Sequence, residues 1–401
     1  MGYSSFEGDC GQDLRPKVGI VTYHHVNNYG SVLQAYATQE VLRSLGCSPA
    51  FIDYVNSSNR DDALLKTMVL DSGYADSSFL KKAAFTLASM PDVKNSTRLF
   101  EDFRKRYLNL TERCYTCEDC ARIAETSDFD AFCTGSDQVW NMHSSKAAEG
   151  VDPVFFLAFA PEESYRFSLS ASLGVSKLTE EESRAYRAFL TSYNSISVRE
   201  PSSIELLGDI GVDDVAHVID PTLLLGPDAW RDFGQETGLP EDYVLVYQLH
   251  SDERLWSFAR EAAAFLGVPV IRVSFFWRNW LKDRHIWYLP RPEKLVSAFD
   301  NASLVVTDSF HGTAFSSQLN TPFVSFAPRS FSGRIVDHLD SLGLSSRLYD
   351  GSSSVESYLM DIEWEKPNQL LCKLRSESLA WIDGVVKSIG FAPQLSLKEA
   401  R

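Results

Sequence analysis

Apolar residues recur along this chain in two alternating rhythms. Residues 17–23 (KVGIVTY) form a short, nearly unbroken apolar run, the pattern of a strand covered on both faces. After the loop HHVNNYG, residues 31–45 place Val32, Leu33, Tyr36, Ala37, Val41, Leu42 and Leu45 at helical spacing, and Gly46 suits the position just past a helix end. Residues 50–55 are again strand-like. The stretch 61–125 reads mostly as helix, with breaks near Gly73 and Pro91. Strand patterns return at 131–134, 154–160 and 166–170, a charged helix at 179–193 follows, and 195–199 is a further strand.

A second cycle begins near Pro201. Strands are expected at 215–219, 243–249, 269–274, 304–307 and 322–326. Helices are expected at 252–266, 292–300, 309–319 and 332–342. Two blocks of alternating strand and helix predict an α/β chain with two Rossmann-like, doubly wound parallel-sheet domains. The expected division is residues 1–16 as a disordered tail, 17–200 as the first domain and 201–365 as the second. A helix at 366–390 would pack back on the first domain. Ligands in such folds bind beyond the carboxyl ends of the strands, here in a cleft between the domains.

Composition narrows the partners. The 38 Lys and Arg against 54 Asp and Glu give a net charge of −16. Such a surface repels nucleic-acid phosphates, yet a few arginines focused in a cleft can still attract a small anion. No run comes near the roughly 18 consecutive apolar residues of a membrane-spanning helix. The start of the chain lacks the apolar core of a signal peptide. Seven cysteines, an odd number in a long chain, fit a reducing cytoplasm.

Four strand-end loops put polar residues where a ligand would lie. The first, His24 to Gly30, leads into a helix with no acid in its first turn, so its N–H groups and positive dipole end are uncompensated. Asn28, Tyr29, Gly30 and Gln34 are candidates to line the cleft, against the alternative of a tight turn. The second is GSDQVWN, where Asp137 would act on a sugar hydroxyl, with Gln138 and Asn141 nearby; the competing role is helix capping. The third ends in Arg199, able to hold a carboxylate in a two-bond fork or to join a structural ion pair. The fourth, Asp308 to Thr313, opens a helix again free of acid in its first turn. Ser309, Gly312 and Thr313 would form an anion site with His311 beside it to move a proton. Arg329 and Arg334 follow the next strand and are candidates to add charge there.

Two features carry less. Cys114, Cys117 and Cys120 have C-x₂-C-x₂-C spacing without a fourth ligand at short range, Cys133 and His143 being distant candidates, so no metal is expected. The run Phe275 to Trp280 fits a sugar platform, a lipid contact or loop packing equally. The dinucleotide glycine fingerprint is absent, and no cofactor is expected.

Taken together, YHHVNNYGSVLQAYA, FDAFCTGSDQVWN, SVRE, IDPTLLL and DSFHGTAFS followed by PFVSF resemble polysaccharide pyruvyltransferase-like proteins, over roughly residues 17 to 345. The resemblance implies a GT-B-like pair of domains, phosphoenolpyruvate as donor, and a sugar of a cell-surface polysaccharide or glycolipid, lipid-linked in some cases, as acceptor. The product would be a pyruvate ketal, made in the cytoplasm or at the inner face of the membrane. It implies His311 as general acid, Arg199 as donor clamp and Asp137 as base or acceptor holder. One departure matters: ketal-forming members often carry Arg two residues before the histidine, where this chain has Ser309. The donor phosphate would then rest on backbone N–H groups, Arg329 or Arg334. Two other functions stay open on the residues alone, a GT-B glycosyltransferase using a nucleotide sugar and a non-catalytic sugar- or anion-binding relative. The segment 313–320 lacks the carboxylate that often holds a nucleotide ribose.

Overall fold

A computed structural model describes residues 15–57, 78–141, 151–277, 285–328 and 333–399, with side chains to residue 390. The expected tail at 1–16 falls almost wholly outside the described residues. The first sheet has the order β3 (Leu110–Cys114), β2 (Ser48–Tyr54), β1 (Lys17–Val21), β4 (Ala131–Thr134) and β5 (Tyr165–Ser168), all parallel. The second has the same plan: β10 (Ile286–Tyr288), β9 (Val270–Ser274), β8 (Val244–Tyr247), β11 (Leu304–Thr307) and β12 (Phe323–Ser325). Each sheet reverses its winding beside its first strand, between β1 and β4 and between β8 and β11. These are the switch points at which open α/β sheets leave a crevice.

Helices cross over between the strands. In the first half they are α1 (Tyr29–Ser44), α2 (Phe79–Tyr107), α3 (Cys117–Thr126), α4 (Glu180–Leu190) and α5 (Ser202–Gly208). The connection holds α6 (Pro221–Leu224) and α7 (Pro227–Phe233), and the second half α8 (Glu253–Leu266), α9 (Pro292–Asp300), α10 (Phe310–Leu319), α11 (Gly333–Leu342) and α12 (Val355–Tyr358). The last helix, α13 (Glu365–Glu399), touches both halves. Ser378 Oγ accepts from the Ile219 N–H at 3.2 Å, Arg375 Nε donates to the Leu223 carbonyl at 2.7 Å, and the helix also contacts β5 and α11. One apolar core runs through both halves, from Val18, Ile20 and Leu33 through Tyr29 and Trp230 to Phe315, Leu245 and Val305. Burial of such surface is the main term holding the halves together.

Several expectations are corrected. Residues 154–160 are not a strand: Pro153–Phe156 is a 3₁₀ turn, and its apolar side chains are buried because Phe156 stacks on Trp140 with ring centroids 5.6 Å apart. The helical reading of 61–125 hid β3, a strand only half covered, and the expected break at Pro91 does not occur, since α2 runs through it. Gly73 lies outside the described residues. The short β10 had no pattern long enough to detect. Finally, β6 (Ile196–Val198) and β7 (Val215–His217) hang on β5 through bridges from Phe167 to Ser195 and from Ala171 to Val198. They extend the first layer to residue 217.

Candidate active site

The loops after β1, β4, β6, β7 and β11 converge. Helices α1 and α10 begin on opposite sides of the convergence, each without an acid in its first turn. They touch at Gly30. A Cβ added there would fall 2.1 Å from His311 Nδ1, so only a glycine lets the imidazole lie against the backbone of α1. His311 is buried, and its Nε2 has no hydrogen-bond partner.

At the centre stands Asp220, which the sequence reading left out of the site. Its Oδ2 accepts from Arg199 Nη1 at 2.9 Å and lies 3.7 Å from His311 Nε2. Its Oδ1 accepts from the Thr222 N–H at 2.9 Å and hydroxyl at 2.7 Å, and Ser136 Oγ reaches Oδ2 at 3.4 Å. The signal for it was present in IDPT, an Asp-Pro-Thr capping turn directly after a strand. Burial opposes its charge, but His311, Arg199 and the Thr222 bonds outweigh that and hold it below the usual carboxylate range.

Arg199 ends β6 and is buried. Nε donates to Glu200 Oε1 at 2.9 Å and Nη1 to Asp220, while its plane lies 4.6 Å from the Phe310 ring centroid. Burial works against its charge, and Glu200 and Asp220 more than restore it, so the guanidinium stays protonated. Two edges of the expected fork are therefore taken by the protein's own carboxylates, and Nη2 alone is unpartnered. Arg334, in the first turn of α11, lies 5.9 Å from the same ring with Nε unpartnered, and burial together with Arg199 lowers it to about 10. A recess is walled by Arg199, Glu200, Asp220, Phe310, Arg334 and Asp337, and His311 stands next to it. Burial lowers His311 to about 4, with Asp220 and Asp137 pulling the other way and the two arginines reinforcing the fall. The imidazole is thus neutral near pH 7.

Asp137 faces the same cluster, close enough to bear on His311, Arg199 and Arg334. It is no helix cap. Its φ of 75° lies in the left-handed region, and it accepts from the Gln138 N–H at 2.8 Å and from Ser31 Oγ at 2.7 Å. A side chain held in that region is a local strain of the kind found at working sites.

Other candidates have different tasks. Gln138 and Asn141 lie over Gly174, where a Cβ would come within 2.3 and 2.6 Å of their amide nitrogens. Tyr29 is an anchor between the halves, donating to the Pro290 carbonyl at 2.7 Å and packing on Phe275. Asn28 caps α1 through the Gly30 N–H, and Gln34 is fully buried, donating to Thr22 Oγ1 at 3.0 Å. Ser309 caps α10 by accepting from the Gly312 N–H at 3.4 Å. Gly312 faces its own sheet, since a Cβ there would be 2.4 Å from Thr307 Oγ1. Thr313 is also turned inward, bonded to the Ser309 carbonyl and Ser325 Oγ. Neither lies open to a ligand, because the helix must sit close on β11. Arg329 lies outside the described residues.

Among the described residues, His24, His25 and Asp53 form a group with metal-ligand atoms within 4.8 Å of one another. Arg113 Nε already bonds Asp53 at 3.1 Å, and His25 Nε2 lies 2.7 Å away. Burial opposes ionisation of Asp53, but the two histidines outweigh it and hold it well below its usual range. Bonds from both imidazoles and from Arg113 to Asp53 tie the loop before α1 to β2 and β3. Cys114 and Cys120 lie in one apolar cluster with sulfurs 3.3 Å apart and Cys117 packed against it, while Cys133 lies in another. His143 lies outside the described residues.

Two parallel sheets of the same order, with buried ionic groups gathered at their switch points, define an α/β protein of two Rossmann-like sheets. A family model described as polysaccharide pyruvyl transferase matches residues 28–330, more than half of the chain, and the chain belongs to that family. No curated protein matches it. Among solved structures it is similar to a UDP-N-acetylglucosamine 2-epimerase from Rickettsia bellii, at 10% identity and a TM-score of 0.45, covering 92% of this chain and 98% of that one. It is also similar to an E. coli heptosyltransferase with ADP-2-deoxy-2-fluoro heptose, at 13% identity, TM-score 0.36, and 78% and 89% coverage. A Thermobaculum terrenum O-GlcNAc transferase mutant gives 12%, a TM-score of 0.39, and 96% coverage, this chain spanning 66% of that one.

Proposed function

We propose that this protein moves the pyruvyl group of phosphoenolpyruvate onto two hydroxyls of one sugar in a surface polysaccharide or glycolipid, giving a pyruvate ketal. The observation that carries the reading is the set of buried, unpartnered nitrogens Arg199 Nη2, Arg334 Nε and His311 Nε2 around Asp220. Buried nitrogens without partners are costly unless a ligand completes them. An anion with a carboxylate and a phosphate supplies acceptors for all three.

The chemistry then follows from charge. The free imidazole of His311 is neutral because burial and two arginines oppose protonation. The negative charges of the donor offset those arginines, and the imidazole takes up the proton it needs. It delivers that proton to C3, and one sugar hydroxyl adds to C2 and loses its proton to a carboxylate. Phosphate leaves with its bonding electron pair, and the second hydroxyl closes the ketal and releases its proton. Asp137 and the unpartnered Glu200 Oε2 are the acceptors available for the hydroxyl protons. Arg199 and Arg334 hold the donor by single N–H contacts, a role left to them by the serine at 309.

Phosphate release from phosphoenolpyruvate, followed over a panel of sugar acceptors, tests the reading. His311→Ala should lower turnover about 10²–10⁴-fold, the usual contribution of a placed general acid, with the fold intact by circular dichroism. Turnover near that of the parent would remove His311 from the reaction. Thermal stabilisation by UDP- or GDP-sugars and none by phosphoenolpyruvate would overturn the donor.

A further inference from the structure

We infer that the N-terminal half of α2, with Trp277 beside it, is a docking face for an anionic lipid surface. This half of the helix is inside out. Ser89, Asp92 and Ser96 are buried, while Leu80, Leu87 and Met90 are 78%, 68% and 48% exposed. Leu80, Ala84, Leu87 and Pro91 fall within about 60° of arc at roughly 100° per residue, so they form one stripe. Apolar residues in such a stripe on a free surface mark an interaction site.

Charge selects the partner. Residues 79–98 contain Lys81, Lys82, Lys94 and Arg98 against the single acid Asp92, in a chain whose net charge is −16. Asp92 is spent inward, accepting from the Trp277 N–H at 3.0 Å and the Tyr288 hydroxyl at 2.9 Å. Lys81, Lys94 and Arg98 are exposed, and Lys94 and Arg98 continue the leucine stripe, which with them spans about 80° of arc. The bond from its own N–H to Asp92 holds Trp277, 44% exposed, against the helix from the Asp92 side. Exposed leucines in line with basic residues match an interface where acyl chains lie under anionic headgroups. A two-fold pairing of this face with a second copy would set like charges together. Nucleic acid would leave the leucines without a partner. Neither donor nor sugar is needed for this contact, so it stands or falls apart from the proposed reaction.

The test is sedimentation of the full chain with vesicles of phosphatidylcholine alone and of phosphatidylcholine mixed with phosphatidylglycerol. Binding should require the anionic lipid and fade with added salt. Leu80→Asp with Leu87→Asp should abolish it. Lys94→Glu with Arg98→Glu should weaken it by about fivefold or more per charge, since each basic residue near such a surface adds roughly that factor. The four positions are solvent-facing, so melting temperatures should stay at the parent value, and phosphate release with a soluble acceptor should be unchanged. No binding to anionic vesicles, or binding equal in all variants, overturns the inference. So does a dimer in light scattering that the leucine variant dissolves, because it would name a second copy as the occupant.

Discussion

At the scale of single residues, the site depends on a position whose side chain is one hydrogen. Gly30 lets the His311 ring lie against α1, with 2.1 Å between Nδ1 and the place a Cβ would take. Gly30→Ala must push the ring away from Asp220 and the recess. Displacements near 1 Å at a reacting group can cost about 10²-fold, so kcat should fall by that order while the melting temperature drops modestly. A variant with the parent's kcat would show that the ring's placement is unimportant. His311 and Arg199 stand out in the sequence because Arg199 directly follows a strand and His311 lies in the first turn of a helix that opens just after one. Asp220 was not, since a lone acid in IDPT looks like any capping residue, and only the folded chain shows what else its oxygens hold.

At the scale of elements, the same kind of residue has the opposite meaning. In the sequence Gly312 reads as an opening for a ligand, yet it faces Thr307, and its job is to let α10 sit close on β11. Gly312→Ala should therefore act on the seating of the helix and destabilise the fold by about 1–3 kcal/mol, as overpacking does. Denaturant midpoints check this, and an unchanged midpoint would put the glycine's role elsewhere. Glycine spacing alone cannot say on which face of a helix the neighbour lies. The strand–helix alternation was readable because buried parallel strands are near-continuous apolar runs. β3 and β10 escaped because the first is half covered and the second has only three residues, and the apolar run at 154–160 packs on Trp140 without joining a sheet.

At the scale of the whole molecule, buried neutral histidines couple stability to pH. Burial lowers His25, His311 and His338 to about 4, against an ordinary imidazole value of about 6.5. Between those values the unfolded chain binds protons that the folded chain refuses, so stability falls as the pH drops through that window. Asp53 and Asp220, held below the ordinary carboxylate range, lose their contributions only at still lower pH. Urea midpoints across this window should slope downward toward acid. A flat profile would mean that these rings are open to solvent. A donor that charges His311 should lessen the slope.

The uninterrupted apolar packing from Ile20 through Tyr29 and Trp230 to Leu245 has a mechanical consequence. Lobes joined by a greasy seam do not swing like jaws, since opening them would wet that seam. Any widening of the recess beside Asp220 must then come from its own side chains and loops, because a hinge would have to break that seam.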